Sequence, residues 1–112
     1  MKYAIALCLL ATPALADAPS VQAVRVSGDR FDVTVLHPDS GWDHYANGWE
    51  VLDAEGNRLG FRELFHPHEN EQPFTRSQAG ITVPAGATAV YVRTRCNIDG
   101  WSDALFEVPL PQ

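Results

Sequence analysis

The sequence has few positive charges and almost no lysine. It holds 8 Lys and Arg residues against 14 Asp and Glu residues, which gives a formal net charge of −6. Lys2 is the single lysine, so a chain without its first residues carries seven arginines and a charge of −7 (−6 − 1). Affinity for nucleic acids comes largely from basic side chains that neutralise phosphates. The composition therefore argues against nucleic acids and anionic membrane surfaces as partners, and it suits cations, including metal ions.

Cysteines and long apolar runs are also scarce. Cys8 lies inside the apolar run 4–11, and the second cysteine is Cys96. This run follows a basic residue and precedes Ala14-Leu15-Ala16, which is the pattern of a secretory signal peptide with its cleavage site. The run is shorter than the roughly 20 residues that span a bilayer. The sequence predicts a signal peptide over residues 1–16, a periplasmic or secreted protein, and no membrane insertion.

Cleavage after residue 16 would leave 96 residues (112 − 16), the size of one domain spanning 17–112. Cys96 would then have no partner for an intramolecular disulfide, so the domain needs a hydrophobic core. Cys96 shares the apolar face of a predicted strand with Val90 and Val92. We therefore expect it to be a small core residue and not a reactive thiol.

Sustained helical periodicity is absent, which argues against helices. Short runs of alternating apolar and polar residues lie between turn residues instead, which is the pattern of an all-β sandwich or barrel. The segment 66–73 interrupts this pattern with two prolines and is expected to be a loop. The predicted strands are 21–27, 31–37, 49–53, 58–65, 79–83, 88–96 and 103–110.

The C-terminal part of the chain resembles the last hairpin of fibronectin type III domains. The matching segments are Val83-Pro84, Val90-Tyr91-Val92-Arg93 and Asn97-Ile98-Asp99-Gly100-Trp101-Ser102. Trp49 stands where such sandwiches have a core tryptophan. The resemblance implies an all-β, immunoglobulin or fibronectin type III-like β-sandwich of about seven strands. Segments 41–50 and 66–76 also resemble small uncharacterised exported proteins of bacteria, a likeness that implies no chemistry.

The four histidines fall in the middle of the chain, and one residue separates His66 from His68. Residues two apart in an extended segment point to the same side, and Pro67 favours that geometry. Glu71 is near in sequence, and His44 lies on an earlier loop. Imidazole-rich sites favour copper or zinc. The pattern predicts a Cu or Zn site formed by His66, His68, Glu71 and His44.

Two other interpretations remain open. The same histidines could form a structural network of hydrogen bonds, and His37 is expected to end its strand with such a bond, outside the metal site. Alternatively, a ligand-binding loop that contains Trp42, Asp43 and Tyr45 could stack on a glycan or a peptide.

The familiar hydrolase, phosphate-binding and zinc-protease motifs are missing from the sequence. We therefore expect a protein that is not an enzyme. The leading hypothesis is a non-catalytic periplasmic β-sandwich that binds a transition metal. The alternative is an interaction module for a protein or glycan partner, with structural histidines.

Overall fold

Two antiparallel sheets make up the part of the protein described by the computed structural model, residues 19–111. The strands are β1 (Ser20–Ser27), β2 (Arg30–Leu36), β3 (Ala46–Leu52), β4 (Arg58–Glu63), β5 (Phe74–Gln78), β6 (Ala89–Cys96), β7 (Gly100–Trp101) and β8 (Phe106–Pro109). The first sheet has the order β1-β2-β5, and the second has the order β4-β3-β6-β7, with β8 also paired to β6. The predicted all-β architecture is confirmed. The predicted signal peptide, residues 1–16, lies outside the described residues.

Two strand predictions need correction. The fifth strand is β5, not residues 79–83, and it pairs with β2 from Phe74 opposite Val35 to Gln78 opposite Phe31. The predicted last strand, 103–110, is shorter in the structure (β8), and the additional short strand β7 precedes it, so residues 19–111 contain eight strands instead of seven. From 19 to 111, no helix has the length and apolar character needed to cross a membrane.

The core is built by alternate residues of strands from both sheets. Side chains without solvent exposure include Phe31, Val33, Val35, Val90 and Val92. Trp49 is also fully buried, and Cys96 is 1 % exposed, as the sequence predicted. Phe106 packs against this core and is only partly buried. The side chains of both sheets form one cluster, which is the packing expected of a sandwich.

The outer face of the five-stranded sheet carries arginines that are already paired. Glu50 is nearly buried and accepts hydrogen bonds from Arg58 Nε at 2.7 Å and from Arg93 Nε at 2.6 Å. The guanidinium groups of Arg58 and Arg95 lie 4.7 and 4.9 Å from the centre of the Phe61 ring. Arg95 is thus on the face of β6 opposite Cys96. The positive charges of these arginines are thus balanced within the sheet by hydrogen bonds to Glu50 and by cation–π contacts with Phe61.

One end of the sandwich brings distant segments together. Residues 37–45 cross from the end of β2 in one sheet to the start of β3 in the other. Ala46 at the start of β3 pairs with Cys96 at the end of β6. The side chains that follow β2 and those that end β6 therefore meet at this end.

Candidate metal centre

His37 lies immediately after β2 and is completely buried. Its Nδ1 is 2.6 Å from Asp39 Oδ1. Because an ionised carboxylate only accepts hydrogen bonds, the ring proton is on Nδ1, and Nε2 of the neutral ring carries the lone pair. Nε2 is buried and has no hydrogen-bond partner. A carboxylate that orients one imidazole nitrogen while the other stays free is the usual arrangement of a metal-binding histidine.

Asp39 holds this arrangement in place. Its side chain is fully buried. Besides His37, it accepts the backbone N–H of Ala46 at 3.0 Å and the backbone N–H of His68 at 2.7 Å. Three donors fix the carboxylate, and the carboxylate fixes the rotation of the His37 ring.

His44 faces His37 across the loop, with ring centroids 4.8 Å apart and ring planes at 81°. A tight turn positions it: His44 N–H donates to Gly41 O at 3.1 Å, and Ser40 N–H donates to His44 O at 3.0 Å. Gly41 has a φ of 133°, which L side chains rarely adopt. His44 is half-buried and forms the solvent side of the pair.

Cys96 completes the group from the end of β6. Its Sγ is 3.5 Å from His44 Nε2. The backbone N–H of Asp99 donates to Sγ at 3.2 Å, and the thiol donates to Asp99 Oδ2 at 3.6 Å. An N–H group that points at the sulfur also stabilises negative charge on it. The thiolate is the form of cysteine that binds metal ions.

Asn97 fastens the two segments that carry these ligands. Its backbone N–H donates to Tyr45 O at 3.1 Å, and its Oδ1 accepts the Tyr45 N–H at 2.8 Å. Its Nδ2 donates to the carbonyl oxygens of Trp42 and Asp43, both at 3.1 Å. The turn after β6 and the loop before β3 are therefore held as one unit.

The three ligand atoms of His37, His44 and Cys96 lie within 4.8 Å of one another. No other group of three or more His, Cys, Asp or Glu side chains comes this close within residues 19–111. Two imidazoles and one thiolate form a donor set for copper or zinc. The three side chains are placed where they could hold one metal ion.

The four ligands predicted from the sequence do not gather at one point. The rings of His66 and His68 do lie side by side, with centroids 4.6 Å apart, as the spacing predicted. His44, however, joins His37 and Cys96. Metal binding by the four predicted residues therefore stays a prediction. The structure brings together a different group, which has only His44 in common with them.

The accepting ring nitrogen of His68 is already committed, while its Nδ1 is buried without a hydrogen-bond partner. Arg76 Nη2 lies 2.8 Å from His68 Nε2, and a guanidinium only donates, so Nε2 accepts and the proton is on Nδ1. The ring also stacks on Phe74 at 3.9 Å. Burial, then the Arg76 charge and His66, lowers the pKa of His68 below its usual value. Glu71, the other predicted ligand of this loop, is exposed and lies 3.5 Å from Arg76. The arginine leaves His68 without a free lone pair.

Sequence reasoning missed two of the three converging residues. His37 was expected outside the site with a satisfied hydrogen bond, and only its Nδ1 is satisfied. Cys96 was expected as a core residue; it is buried, but its sulfur faces His44. Both residues extend the inward face of their strands at the same end of the sandwich, and that shared position was the available signal.

The predicted aromatic loop is partly exposed. Trp42 is 64 % exposed and contacts Tyr45 edge to face, with ring centroids 5.4 Å apart. Asp43 is exposed beside them. Ligand binding by this loop stays a prediction.

A curated protein of Halomicrobium mukohataei (strain ATCC 700874 / DSM 12286 / JCM 9738 / NCIMB 13541), named "Putative lipoprotein", is similar to part of this chain. The two are 48 % identical over 71 residues, which is 63 % of this chain and 34 % of the relative. The chain thus spans about a third of the length of the relative. No family model matches the chain, and no solved structure matches it.

Proposed function

We propose that this chain is an exported, non-catalytic protein that binds one transition metal ion, copper or zinc, through His37, His44 and Cys96. One observation carries the proposal. His37 Nε2 is fully buried and has no hydrogen-bond partner. The ligand atoms of His37, His44 and Cys96 lie within 4.8 Å of one another. A buried polar atom without a partner costs about 1–3 kcal/mol. A metal ion at this point would remove that cost.

The burial of the ligands supports a binding role over a catalytic one. His37 is 0 % and Cys96 is 1 % exposed, so His44 is the ligand nearest to solvent. A substrate would have to reach the ion past His44. Storage, delivery or sensing of the metal fits this geometry better than turnover.

Export is supported by two separate observations. The segment 1–16 has the composition of a signal peptide. The similar protein of Halomicrobium mukohataei is named as a lipoprotein, which is a class of exported, envelope-associated proteins. We assign the protein to the cell envelope or the medium on this basis.

The immunoglobulin or fibronectin type III type of the sandwich is also our proposal. In constant-type immunoglobulin domains, the first, second, fourth and fifth strands oppose the third, sixth and last strands. The order β1-β2-β5 against β3-β6 with β8 supports this assignment, and β4 differs because it pairs with β3.

Cobalt(II) provides a direct test because it replaces zinc or copper and absorbs visible light. Titration of the metal-free protein with Co(II) should saturate at one equivalent and produce a thiolate-to-cobalt charge-transfer band. Cys96→Ala should lose the band, and His44→Gln should weaken binding. His66→Ala, in the histidine pair next to Arg76, should retain both. Absence of the band in the unaltered protein, or its persistence in Cys96→Ala, would overturn the proposal.

Thermal stability gives a second measurement of the same site. Zn(II) at about a hundred times its dissociation constant should add about 2.7 kcal/mol of stability, seen as a higher Tm. Protons compete for imidazole and thiolate, so the rise should be much smaller at about pH 5 than at about pH 7.5. Cys96→Ala should show no rise at either pH.

The exposed Trp42 favours a second candidate function, an interaction module for a protein or glycan. Trp42 projects from the loop that Asn97 fastens to β6. Glycan arrays or pull-down from the envelope, compared between the unaltered protein and Trp42→Ala, would test it. Binding lost in Trp42→Ala and unaffected by Cys96→Ala would support this role.

A further inference from the structure

Three protein ligands leave the proposed site one short of the number that zinc prefers. Structural Zn(II) sites are almost always tetrahedral with four protein ligands. The residue in place to supply the fourth is Asp99. Its carboxylate oxygen lies 3.6 Å from Cys96 Sγ. This inference rests on the proposed function and concerns the same site.

The distances around the sulfur match those of ligands that share one tetrahedral ion. Metal–sulfur bonds of about 2.3 Å and metal–nitrogen or metal–oxygen bonds of about 2.0–2.1 Å place two such atoms about 3.5 Å apart. His44 Nε2 is 3.5 Å from Cys96 Sγ, and Asp99 Oδ2 is 3.6 Å from it. Both distances therefore already suit a common ion.

The backbone of Asp99 is fixed, while its side chain is free to adjust. The Asp99 N–H is bonded to the sulfur, and the preceding Asn97 is tied to the loop before β3. The Asp99 carboxylate is not among the atoms that lie within 4.8 Å of one another, so it must turn toward the imidazoles to complete a tetrahedron. Asp99 is exposed, and a rotation on the solvent side meets little packing.

The charge balance of the site depends on the ion. Within the ligand set, Zn(II) with one thiolate and two neutral imidazoles carries one net positive charge, and the Asp39 carboxylate balances it only from behind His37. A second anionic ligand makes the ligand set itself neutral. Cu(I) with the same three ligands is already neutral, and soft thiolate ligands select it without a carboxylate.

We infer that Asp99 is the fourth ligand of a Zn(II)-loaded site and is not needed for Cu(I). Asp99 thereby decides which of the two ions the site prefers. With Asp99 the site is a closed Cys-His-His-Asp zinc centre, and without it the site is a three-coordinate cuprous centre.

The experiment compares Zn(II) and anaerobic Cu(I) binding by the full protein, by Asp99→Asn and by Asp99→Ala. Both variants should bind Zn(II) about tenfold or more weakly, a loss at least as large as that caused by removing an outer-shell partner of a metal site. Cu(I) affinity should stay within about twofold, since the neutral three-ligand set is intact. The visible Co(II) bands, which are strong in tetrahedral sites, should change in the variants while the thiolate band persists. Asp103→Asn removes an exposed carboxylate from the segment between β7 and β8 and should alter neither affinity.

Unchanged Zn(II) affinity in both variants would overturn the assignment of Asp99. An equal loss for Zn(II) and Cu(I) would do the same, because it would show a general effect on the turn. Failure of the unaltered protein to give a Cys96-dependent Co(II) band would instead overturn the proposed function itself.

Discussion

The two histidine pairs of this protein differ in what their ring nitrogens already contact. His66 and His68 are neighbours in sequence and in space, yet Arg76 occupies the accepting nitrogen of His68. His37 and His44 are seven residues apart (44 − 37), and Nε2 of His37 has no partner. A free lone pair on a ring nitrogen is therefore a better indication of a metal-binding histidine than the spacing of histidines in the sequence.

The charged side chains around the two histidine pairs also differ. The His68 ring faces a guanidinium, which repels a second cation. The other group is bordered by carboxylates, with Asp39 behind His37 and Asp99 beside Cys96. Of the charges around His68, Arg76 has the largest effect and opposes a second cation, while Glu71 and Asp39 act in the opposite direction.

The largest effect is expected from Asp39, which serves both regions. Asp39→Ala leaves the His37 ring N–H and the backbone N–H groups of Ala46 and His68 unpaired in a buried setting. We expect a loss of about 3–5 kcal/mol in the free energy of unfolding, measured by urea denaturation. Asp43→Ala, an exposed control, should change it by about 0.5 kcal/mol or less. A loss below about 1 kcal/mol for Asp39→Ala would contradict this account of the hydrogen bonds.

A smaller effect concerns the pH dependence of stability at His68. Burial, then Arg76 and His66, lowers the pKa of His68 in the folded state from its usual 6.5. As the pH falls below 6.5, the unfolded chain takes up the proton first. The stability contributed by His68 is therefore complete above that pH and is lost as the pH falls toward the folded pKa.

This predicts that His68→Gln flattens the decline of unfolding free energy between about pH 7 and pH 5, measured with chelator present. His66→Gln is the matched control, because His66 is exposed and contributes to the shift only after burial and Arg76. A decline in His68→Gln as steep as in the unaltered protein would show that other groups dominate.

The smallest effect is expected from Glu71, the predicted ligand on the His66–His68 loop. Its carboxylate is 60 % exposed and 3.5 Å from Arg76, the geometry of a weak surface ion pair. Glu71→Gln should change stability by about 0.5 kcal/mol or less and leave the Co(II) titration unchanged. A weakened Co(II) response would move the metal site back to the loop that the sequence favoured.

The sequence predicted the sheets better than the strand boundaries. Alternation identified β2 and β6, because one face of each is fully buried. It missed β5, in which Phe74 is the one buried side chain and Thr75 to Gln78 are polar. Pairing with β2 makes this segment a strand, and pairing partners cannot be read from local periodicity.

The candidate site was predicted only in part for a related reason. The sequence predicted His44 as a metal ligand, but it grouped His44 with His66 and His68. His37 and Cys96 are 59 residues apart (96 − 37) and meet only because strands from two sheets end at the same place. Sequence spacing can identify ligands that lie on one segment, but it cannot identify ligands that only the fold brings together.

The origin of the three ligands also fixes when an ion can bind. His37 follows a strand of one sheet, Cys96 ends a strand of the other, and His44 lies on the connection between them. An unfolded chain that is crossing a membrane has no such site. In the proposed function, loading therefore follows folding and takes place in the compartment where folding finishes.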